Sequence, residues 1–345
     1  MAGTWTSQNK ILPGAYINFK TNSPLSITPN DRGMVVILQT LSVGKVHDIY
    51  EITAITDNYP EGIEEADKIL VKEALKGANK VLLYNLGNTE DASSALTVAL
   101  SKLRTINFNV IVYPNASEAN KGVIKNWIAS MRDEEGIKVQ GVFANLKADN
   151  EAIINVVQGV ILSDGTTLTV EQVTAYVAGI TAGASMNKSN TGLKYEGAID
   201  VVPRMTKTEM ETAITEGKYI FKVDSAQNVT TVYDINSLTT IGEDKNSSFK
   251  KNRTIRTLDG INNDTVNIFE SNYVGNIDNT VDGRSLLRAA YIEYFNILQN
   301  LSAIQNFKAE DVEVLGGKDK ESVVINCNIQ TVDSVEKIYI TVNLA

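Results

Sequence analysis

The stretch that decides the fold runs from residue 80 to residue 113 and reads KVLLYNLGNTEDASSALTVALSKLRTINFNVIVY. It begins with one apolar run, KVLLY at 80–84, and ends with another, NVIVY at 109–113. Between them, residues 91–103 place three leucines on one face of a helix. Neither run alternates with polar residues, which is typical of strands covered on both faces. The stretch therefore predicts a strand, a helix and a second, parallel strand.

The same alternation continues on both sides of this stretch. Apolar or alternating runs predict further strands at residues 33–40, 45–53, 139–144 and 156–162. Amphipathic segments predict helices at 61–76 and 117–131, and another helix opens at Thr169 with a Thr-x-x-Gln capping box to Gln172. Strands that alternate with helices predict an α/β fold, with a central, mostly parallel sheet and helices on both faces.

The pattern changes beyond Val201 and predicts an α+β C-terminal domain. The predicted elements are a capped helix at 206–217, a hairpin of 219–224 and 229–233, helices at about 253–272 and 283–303, and strands at 312–315, 322–329 and 335–344. The polar connection at 236–250 marks a boundary. We therefore predict an N-terminal extended arm at 1–30, a central α/β domain at 31–245, a C-terminal α+β domain at 246–332 and a C-terminal arm strand at 333–345.

The two ends of the chain show strand-like alternation without an obvious partner. Residues 15–20 place Ala15, Ile17 and Phe19 on one side, and residues 335–344 alternate in the same way. One strand flanked by irregular chain cannot fold alone and must pair with something. Each segment is either an edge strand of its own domain or an arm that adds to another subunit.

Composition and charge exclude several classes of function. The chain has 345 residues, 32 Lys+Arg and 41 Asp+Glu, and its formal net charge is −9. An acidic chain without a basic cluster is a poor candidate for binding nucleic acid or an anionic membrane. The sequence shows no secretory signal and no window of about 18 apolar residues, so we expect a soluble chain made in a reducing compartment and no membrane insertion.

The search for chemistry predicts no catalytic, cofactor-binding or metal-binding residue. There is no phosphate-binding glycine loop of either common type. The single histidine, His47, lies beside Asp48 in a predicted strand, where neighbours face opposite sides. The single cysteine, Cys327, falls on the apolar face of another strand. Gly179-Ile-Thr-Ala-Gly183 resembles a nucleophile elbow but falls inside a helix, so small-residue packing is the favoured interpretation.

The helix predicted at 283–303 carries Arg284 and Arg288 one turn apart on its polar face. The two arginines are either part of a solvated face or a patch offered to an acidic partner surface.

Several segments, in this order along the chain, resemble tail sheath proteins of contractile-tailed bacteriophages and phage-tail-like bacteriocins. They are AGTWTSQNKILPGAYINFK at 2–20, EALKGANKVLLY at 73–84, VAGITAG at 177–183, YEGA at 195–198, DINSLTT at 234–240, KNRTIRTLD at 251–259, DGR at 282–284, LQNLSAIQNF at 298–307 and VDSVEKIYITV at 332–342. The resemblance covers nearly the whole chain, and the order of the segments is more specific than any one of them.

The resemblance implies a structural protein rather than an enzyme, without a cofactor. Such subunits stack as hexameric rings into a helical sheath around a tail tube, and contraction drives the tube through a bacterial envelope. The implied partners are other copies, the tail tube protein, and baseplate and terminator proteins, but not nucleic acid. The sheath would assemble in the bacterial cytoplasm and leave the cell as part of the particle. The rival interpretations are an α/β hydrolase-like or nucleotide-binding enzyme and an interaction module that does not polymerise.

The resemblance also implies where neighbouring subunits meet. Terminal arms of sheath subunits add strands to the C-terminal domain of a neighbour, and a helix of that domain touches the tube. The residues expected in strand addition are Ala15, Tyr16, Ile17, Asn18, Phe19, Val335, Ile338, Ile340 and Val342. Arg284 and Arg288 are the residues expected to contact the tube.

Overall fold

The computed structural model describes residues 32–88 and 92–343. The strands are β1 (Met34–Gln39), β2 (Ile49–Ile52), β3 (Lys80–Asn85), β4 (Val110–Val112), β5 (Gln140–Ala144), β6 (Ile153–Val156), β7 (Gly159–Leu162), β8 (Thr167–Leu168), β9 (Ala198–Val202), β10 (Lys218–Tyr219), β11 (Phe221–Val223), β12 (Val229–Thr231), β13 (Ile304–Gln305), β14 (Val312–Gly316), β15 (Val323–Cys327) and β16 (Gln330–Thr331). The α-helices are α1 (Ile69–Leu75), α2 (Ala92–Leu103), α3 (Glu118–Asp133), α4 (Val170–Gly183), α5 (Lys207–Thr215), α6 (Asn252–Ile268) and α7 (Val281–Asn300).

The largest sheet has seven strands in the order β10-β6-β5-β4-β1-β3-β2. All neighbouring strands in it are parallel except β2, which runs antiparallel to β3 at one edge. Strand β1 lies inside the sheet, with Val35 opposite both Val81 of β3 and Val110 of β4. The predicted α/β class with a mostly parallel sheet is therefore confirmed.

Helices cover both faces of this sheet. Val35 and Ile37 of β1 point into a core shared with α1 and α4. Val36 and Leu38 point into a second core shared with α2 and α3. Because successive residues of a strand face opposite sides, a strand buried on both faces must be apolar at every position. This requirement explains the uninterrupted apolar runs of the sequence.

Helices α1 and α4 approach each other closely through glycine. A Cβ on Gly179 would clash with the carbonyl oxygen of Ala74, and a Cβ on Gly183 would clash with that of Gly77. Thr181, between the two glycines, is fully buried. The 179–183 segment therefore serves helix packing, as predicted, and not a strand-to-helix elbow.

Several predicted elements in the central part of the chain differ from those observed. The run at 156–162 is not one strand but the end of β6 and then β7, which belong to different sheets. Gln158 sits fully buried at the crossing, where its amide donates to the carbonyl of Pro203 and accepts from the N–H of Phe221. Strand β6 and the start of β7 are buried, so the apolar pattern continues across the change of sheet.

The first helix is shorter than predicted. It spans Ile69–Leu75 rather than 61–76, and the acidic segment before it forms turns. Within those turns the carboxylate of Glu65 binds both Lys68 and Lys72, at 2.6 and 2.7 Å. Glu65, which the sequence places in the first half of the predicted helix, thus lies outside α1 and binds a lysine within it.

The C-terminal part, residues 246–332, docks onto the central part through helix α6. Arg132 at the end of α3 makes a bidentate pair with Asp259 of α6, at 2.7 and 2.8 Å. The side-chain amide of Asn263 bonds both the N–H and the carbonyl of Lys138, at 2.8 Å each. These contacts explain why this surface of α6 is polar. The Asn263 side chain bonds both main-chain groups of Lys138, as the main chain of a neighbouring strand would.

Helix α7 and the short strands around it build a separate apolar core, which includes Tyr294, Phe295 and Leu298. In the described ranges, no helix is both long and apolar enough to cross a membrane.

The Arg132–Asp259 pair gives one test of the docking. We expect Arg132→Met to lower the free energy of unfolding by about 3 kcal/mol, because it leaves the nearly buried Asp259 carboxylate without its partner. Arg104→Met is the matched control, since it removes the exposed Arg104–Glu135 pair, worth about 1 kcal/mol or less. Urea unfolding of the two variants measures the difference, and equal losses would contradict the assigned role of Arg132.

The close contact between α1 and α4 gives a second test, in which two glycine-to-alanine substitutions should change stability in opposite directions. Gly179→Ala should destabilise the chain by about 2 kcal/mol, because the added methyl group forces α4 away from α1. Gly122→Ala on α3 should instead stabilise it by about 0.5–1 kcal/mol, since nothing lies within 4 Å of the added Cβ and alanine favours the helix. Thermal unfolding measures both, and a neutral Gly179→Ala would disprove the close contact.

Candidate functional site

The sequence-predicted chemistry candidates lie apart from one another. His47 lies in a turn before β2 rather than in a strand, with a left-handed φ of 63°. Its Nδ1 is 3.2 Å from the hydroxyl of Tyr84, and its carbonyl accepts from Lys102. Among the described residues, no three His, Cys, Asp or Glu side chains are grouped closely enough to hold a metal ion.

Cys327 lies where the sequence places it, on the inner face of β15 with Val323 and Ile325. Its side chain is half-buried, and this burial raises the pKa of the thiol. A raised pKa disfavours the thiolate, so Cys327 behaves as a small apolar residue.

The most unusual surface of the chain is its C-terminal arm, residues 333–343. No strand forms at 335–343, and Ile338, Tyr339 and Ile340 are 75%, 90% and 79% exposed. Val335 and Val342 are exposed to a similar extent. Large apolar side chains in a row rarely stay in water unless they form an interaction site. The predicted N-terminal counterpart, Ala15 to Phe19, lies outside the described residues.

Strands β14 and β15 form a two-stranded antiparallel hairpin that no third strand extends within the described ranges. We call it the acceptor hairpin. One face packs on the core around α7, while the other exposes Leu315 and Val324, which lie opposite each other. A hairpin of two strands is marginally stable at best, and further strands stabilise it.

The two outer edges of the acceptor hairpin differ. At the two ends of the hairpin, the N–H of Gly317 donates to the carbonyl of Ser322 and the N–H of Asn328 donates to the carbonyl of Asp311. These bonds show that Ser322 and Asn328 direct their main-chain groups towards β14. Because main-chain groups alternate in direction along an antiparallel strand, those of Val323, Ile325 and Cys327 face outward. No main-chain partner for these outward groups occurs in residues 32–88 or 92–343.

Arg288 partly covers the other edge. Its Nε donates to the carbonyl of Val312 at 2.8 Å, and its Nη2 donates to the carbonyl of Ala309. Arg284 donates through Nη1 to the carbonyl and side chain of Asn279, at 3.2 and 2.8 Å. Both guanidinium groups are half-buried and bind within their own part of the chain. The structure therefore gives each arginine a local role, and the tube contact expected of them stays a prediction.

A carboxylate holds the base of the arm. Glu336, whose side chain is 7% exposed, makes an ion pair with Lys251 and accepts from the hydroxyl of Thr191 at 2.8 Å. The hydroxyl of Ser189 lies 3.2 Å from the same carboxylate, and the Lys251 ammonium lies 4.4 Å above the ring of Tyr233. We call this arrangement the arm clamp. Sequence reasoning missed it, because Glu336 occupies a polar position in an alternating segment.

The electrostatics of the arm clamp favour its charged form. Burial alone would lower the pKa of Lys251, but the hydrogen bonds to Glu336 and Tyr233 outweigh it and raise the pKa above its ordinary value. Two further contacts fix the preceding residues, since Asp333 lies 3.2 Å from Lys251 and Ser334 accepts from Arg253 at 2.8 Å. Within the described ranges, side-chain contacts thus hold the chain up to Glu336 and none holds residues 337–343.

The arm clamp rests on a fully buried polar network. The carboxylate of Asp234 accepts from Arg256 at 3.4 Å, from the side chain of Asn252 at 2.9 Å and from the N–H of Asn190 at 2.9 Å. Arg256 also donates to the carbonyl of Lys188 at 2.6 Å. These partners come from the loop after α4, from the loop after β12 and from α6, so the network joins the central and C-terminal parts.

The rest of the DINSLTT segment at 234–240 is also structural. Thr240 and Thr239 donate side-chain and main-chain hydrogen bonds to Asp149, and these hold the pKa of that carboxyl well below its usual range. Ser237 exchanges hydrogen bonds with the main chain of Asn150. The segment fastens the polar connection to the end of the sheet.

Three family models match successive parts of the chain. Residues 32–86 match the tail sheath protein Gp18 domain III N-terminal region, residues 89–237 match the phage tail sheath protein central domain, and residues 244–345 match the phage tail sheath C-terminal domain.

Relatives with known names or structures agree with these matches. The sheath tail protein of Desulfitobacterium hafniense is 31% identical in sequence, with a TM-score of 0.83 over 95% of this chain and 99% of that one. The tail sheath protein of Clostridium phage phiCD119 is 29% identical over 85% of this chain and 82% of its own. The contracted helical sheath of the anti-feeding prophage shares the fold, with a TM-score of 0.76 over 97% of this chain and 99% of that one at 15% identity.

Proposed function

The chain belongs to the phage tail sheath protein family of contractile injection systems, a family of structural proteins, and from that premise we propose that its subunits polymerise by exchanging terminal strands. They stack as hexameric rings around a tail tube, and contraction of the sheath drives the tube through a bacterial envelope. In this proposal residues 31–245 form the central domain and 246–332 the tube-facing domain, with arms at 1–30 and 333–345.

The observation that supports the proposal most strongly is that one chain contains two elements of a β-sheet that each lack a neighbouring strand. Among the residues that the structure describes, the arm is an alternating segment without a partner strand, and β15 of the acceptor hairpin has an outer edge without one. Strand addition would satisfy the main-chain groups of both and cover the exposed apolar side chains of the arm. Each chain carries a donor and an acceptor on different surfaces, so the contact propagates head to tail and builds an open assembly.

Weak links of this kind suit a lattice. A single added strand supplies few hydrogen bonds, but each subunit is held by several neighbours at once, and linked contacts multiply in strength. Ile338, Ile340 and Val342 would pack on one face of the joined sheet. The arm residues 15–19 would make the second link by the same chemistry.

The proposed partners and location follow from this role. Other copies of the chain form the sheath, the tail tube protein lies inside it, and baseplate and terminator proteins bound its ends. Assembly in the bacterial cytoplasm and release with the particle complete the proposal.

Truncation of the arm tests strand exchange. Removal of residues 337–345 leaves the clamped residues Asp333, Ser334 and Glu336 in place, so the monomer should keep its melting temperature within a few degrees. Polymerisation should be abolished, because the donor strand is gone. Removal of residues 1–20 should have the same two effects. Negative-stain imaging and sedimentation measure assembly, and sheaths of normal length from either truncation would refute strand exchange.

A point substitution controls for the loss of mass. Ile340→Pro removes one main-chain donor and should block assembly, because proline cannot complete a strand ladder. Ile340→Thr keeps the N–H and the strand preference and should assemble at a rate closer to that of the unchanged chain. Equal behaviour of the two variants would show that main-chain bonding of the arm is not the link.

We further propose that helix α7 contacts the tube, with Arg284 and Arg288 at the contact. Within residues 32–88 and 92–343, Arg284 uses only Nη1, for Asn279, which leaves the rest of its guanidinium group for an acidic partner. Arg288 holds β14 through two carbonyls, and in the same ranges its Nη1 is left for the same use. Exposed ion pairs are worth roughly 0–1 kcal/mol each, so many repeats would give a firm but breakable grip.

The tube contact is tested by reversing the charge of Arg284, because Arg284 bonds Asn279 and not a strand of the acceptor hairpin. Arg284→Glu should weaken the binding of sheath to tube and make it sensitive to salt, while sheath that forms without tube should still assemble. Adding Arg288→Glu should deepen the loss but also loosen β14, so hydrogen exchange of β14 is recorded alongside. Salt-resistant, normal binding of the Arg284→Glu sheath to tube, measured by co-sedimentation, would exclude Arg284 from the contact.

A further inference from the structure

The arm clamp lies where the anchored part of the C-terminal segment ends in the described ranges. Before Glu336 the chain is fixed by side-chain contacts, and after it residues 337–343 touch no partner strand among the described residues. The direction in which the chain leaves the clamp therefore sets which sheet edges the arm can reach.

The clamp is preorganised for this task. The Thr191 hydroxyl oxygen accepts from the N–H of Asp234 at 3.0 Å, which leaves its proton for the carboxylate of Glu336. Asp234 in turn is held by Arg256 and Asn252 in the buried network. A carboxylate that has lost most of its water is held tightly only when charge and hydrogen bonds are both supplied, and the clamp supplies both.

The arm has a competing partner within its own chain. Residues 328–334 connect the end of β15 at Cys327 to Val335, and only two of them, Gln330 and Thr331 of β16, pair with another strand, β13. Ser334 stays bound to Arg253, but loss of the Glu336 contacts would leave residues 335–343 able to turn towards their own β15 edge as a third strand. Such pairing has an effective concentration in the millimolar range, which would exceed that of other subunits in dilute solution.

We propose that the arm clamp holds the arm away from its own acceptor hairpin and so reserves it for a second copy of the chain. This inference rests on the strand exchange proposed above. Glu336, Lys251 and Thr191 act as positioning residues, because they set the path of the arm without touching the partner. Release of the clamp would convert an exchange-competent subunit into a self-paired monomer.

Disulfide trapping distinguishes self-pairing from exchange. The chain has one cysteine, Cys327, and it lies on β15. A second cysteine is introduced in turn at Ile338, Tyr339, Ile340 and Thr341, and each variant is oxidised and run on a non-reducing gel. With Glu336 intact, the cross-links should join different chains. With Glu336→Ala, the ratio of within-chain to between-chain cross-links should rise by about tenfold or more, and polymerisation should slow accordingly.

The control and the folding check use the same gel. Glu321→Ala removes the same charge from an exposed position without an ion pair in the described part of the chain, and it should leave the ratio unchanged. Glu336→Gln keeps the shape and weakens the charge interaction, so it should shift the ratio in the same direction as Glu336→Ala but less. Melting temperatures of both variants show that they fold, and Glu336→Gln carries the test if Glu336→Ala does not fold.

Two failures have different meanings. Between-chain cross-links that are unaffected by either Glu336 variant would overturn the clamp proposal and leave strand exchange standing. Absence of cross-links at all four positions, in both backgrounds, would overturn strand exchange at β15 and the clamp proposal with it.

Discussion

The ion pair between Asp234 and Arg256 is the interaction on which the rest of the structure depends. Both side chains are fully buried, so each must find its hydrogen bonds inside the protein. The partners they find lie in the loop after α4 and in the first turn of α6. A buried pair of this kind adds little net stability compared with an apolar pair. Its effect here is to fix the C-terminal part against the central sheet in one arrangement.

Much of the central fold was predictable, because buried positions are apolar and their spacing along the sequence indicates the type of element. Strands β1, β3 and β4 are apolar at successive positions since both faces are covered, and the Thr169 and Thr206 capping boxes mark true helix starts. The errors arose where the pattern of buried residues does not show the path that the main chain takes. The run at 156–162 stays apolar while it changes sheets at Gln158, and the acidic segment before α1 forms turns although its pattern predicts a helix.

The candidate site was less predictable, because its contacts join distant parts of the sequence. Glu336 and Lys251 are 85 residues apart, and a polar residue in an alternating segment is normally solvated. A helical wheel likewise placed Arg284 and Arg288 on a polar face without showing the carbonyls that receive their protons. Periodicity reports which face of an element is polar, and it does not report what packs against that face. The exposed alternation of the C-terminal arm was visible because it involves no distant partner.

The molecule combines a sheet that is covered on both faces with β elements that are exposed, and this combination suits the proposed assembly. The parallel sheet buries both faces within the chain, so its stability does not wait for neighbours. The acceptor hairpin is stabilised by α7 and Arg288, and one of its edges has no partner strand in the part of the chain that the structure describes. With a net charge of −9, free chains repel one another at long range, so association must come from short-range contacts. Main-chain hydrogen bonds between an arm and a strand edge are such contacts. Added salt screens the repulsion between the acidic chains, but it does not screen hydrogen bonds between uncharged main-chain groups.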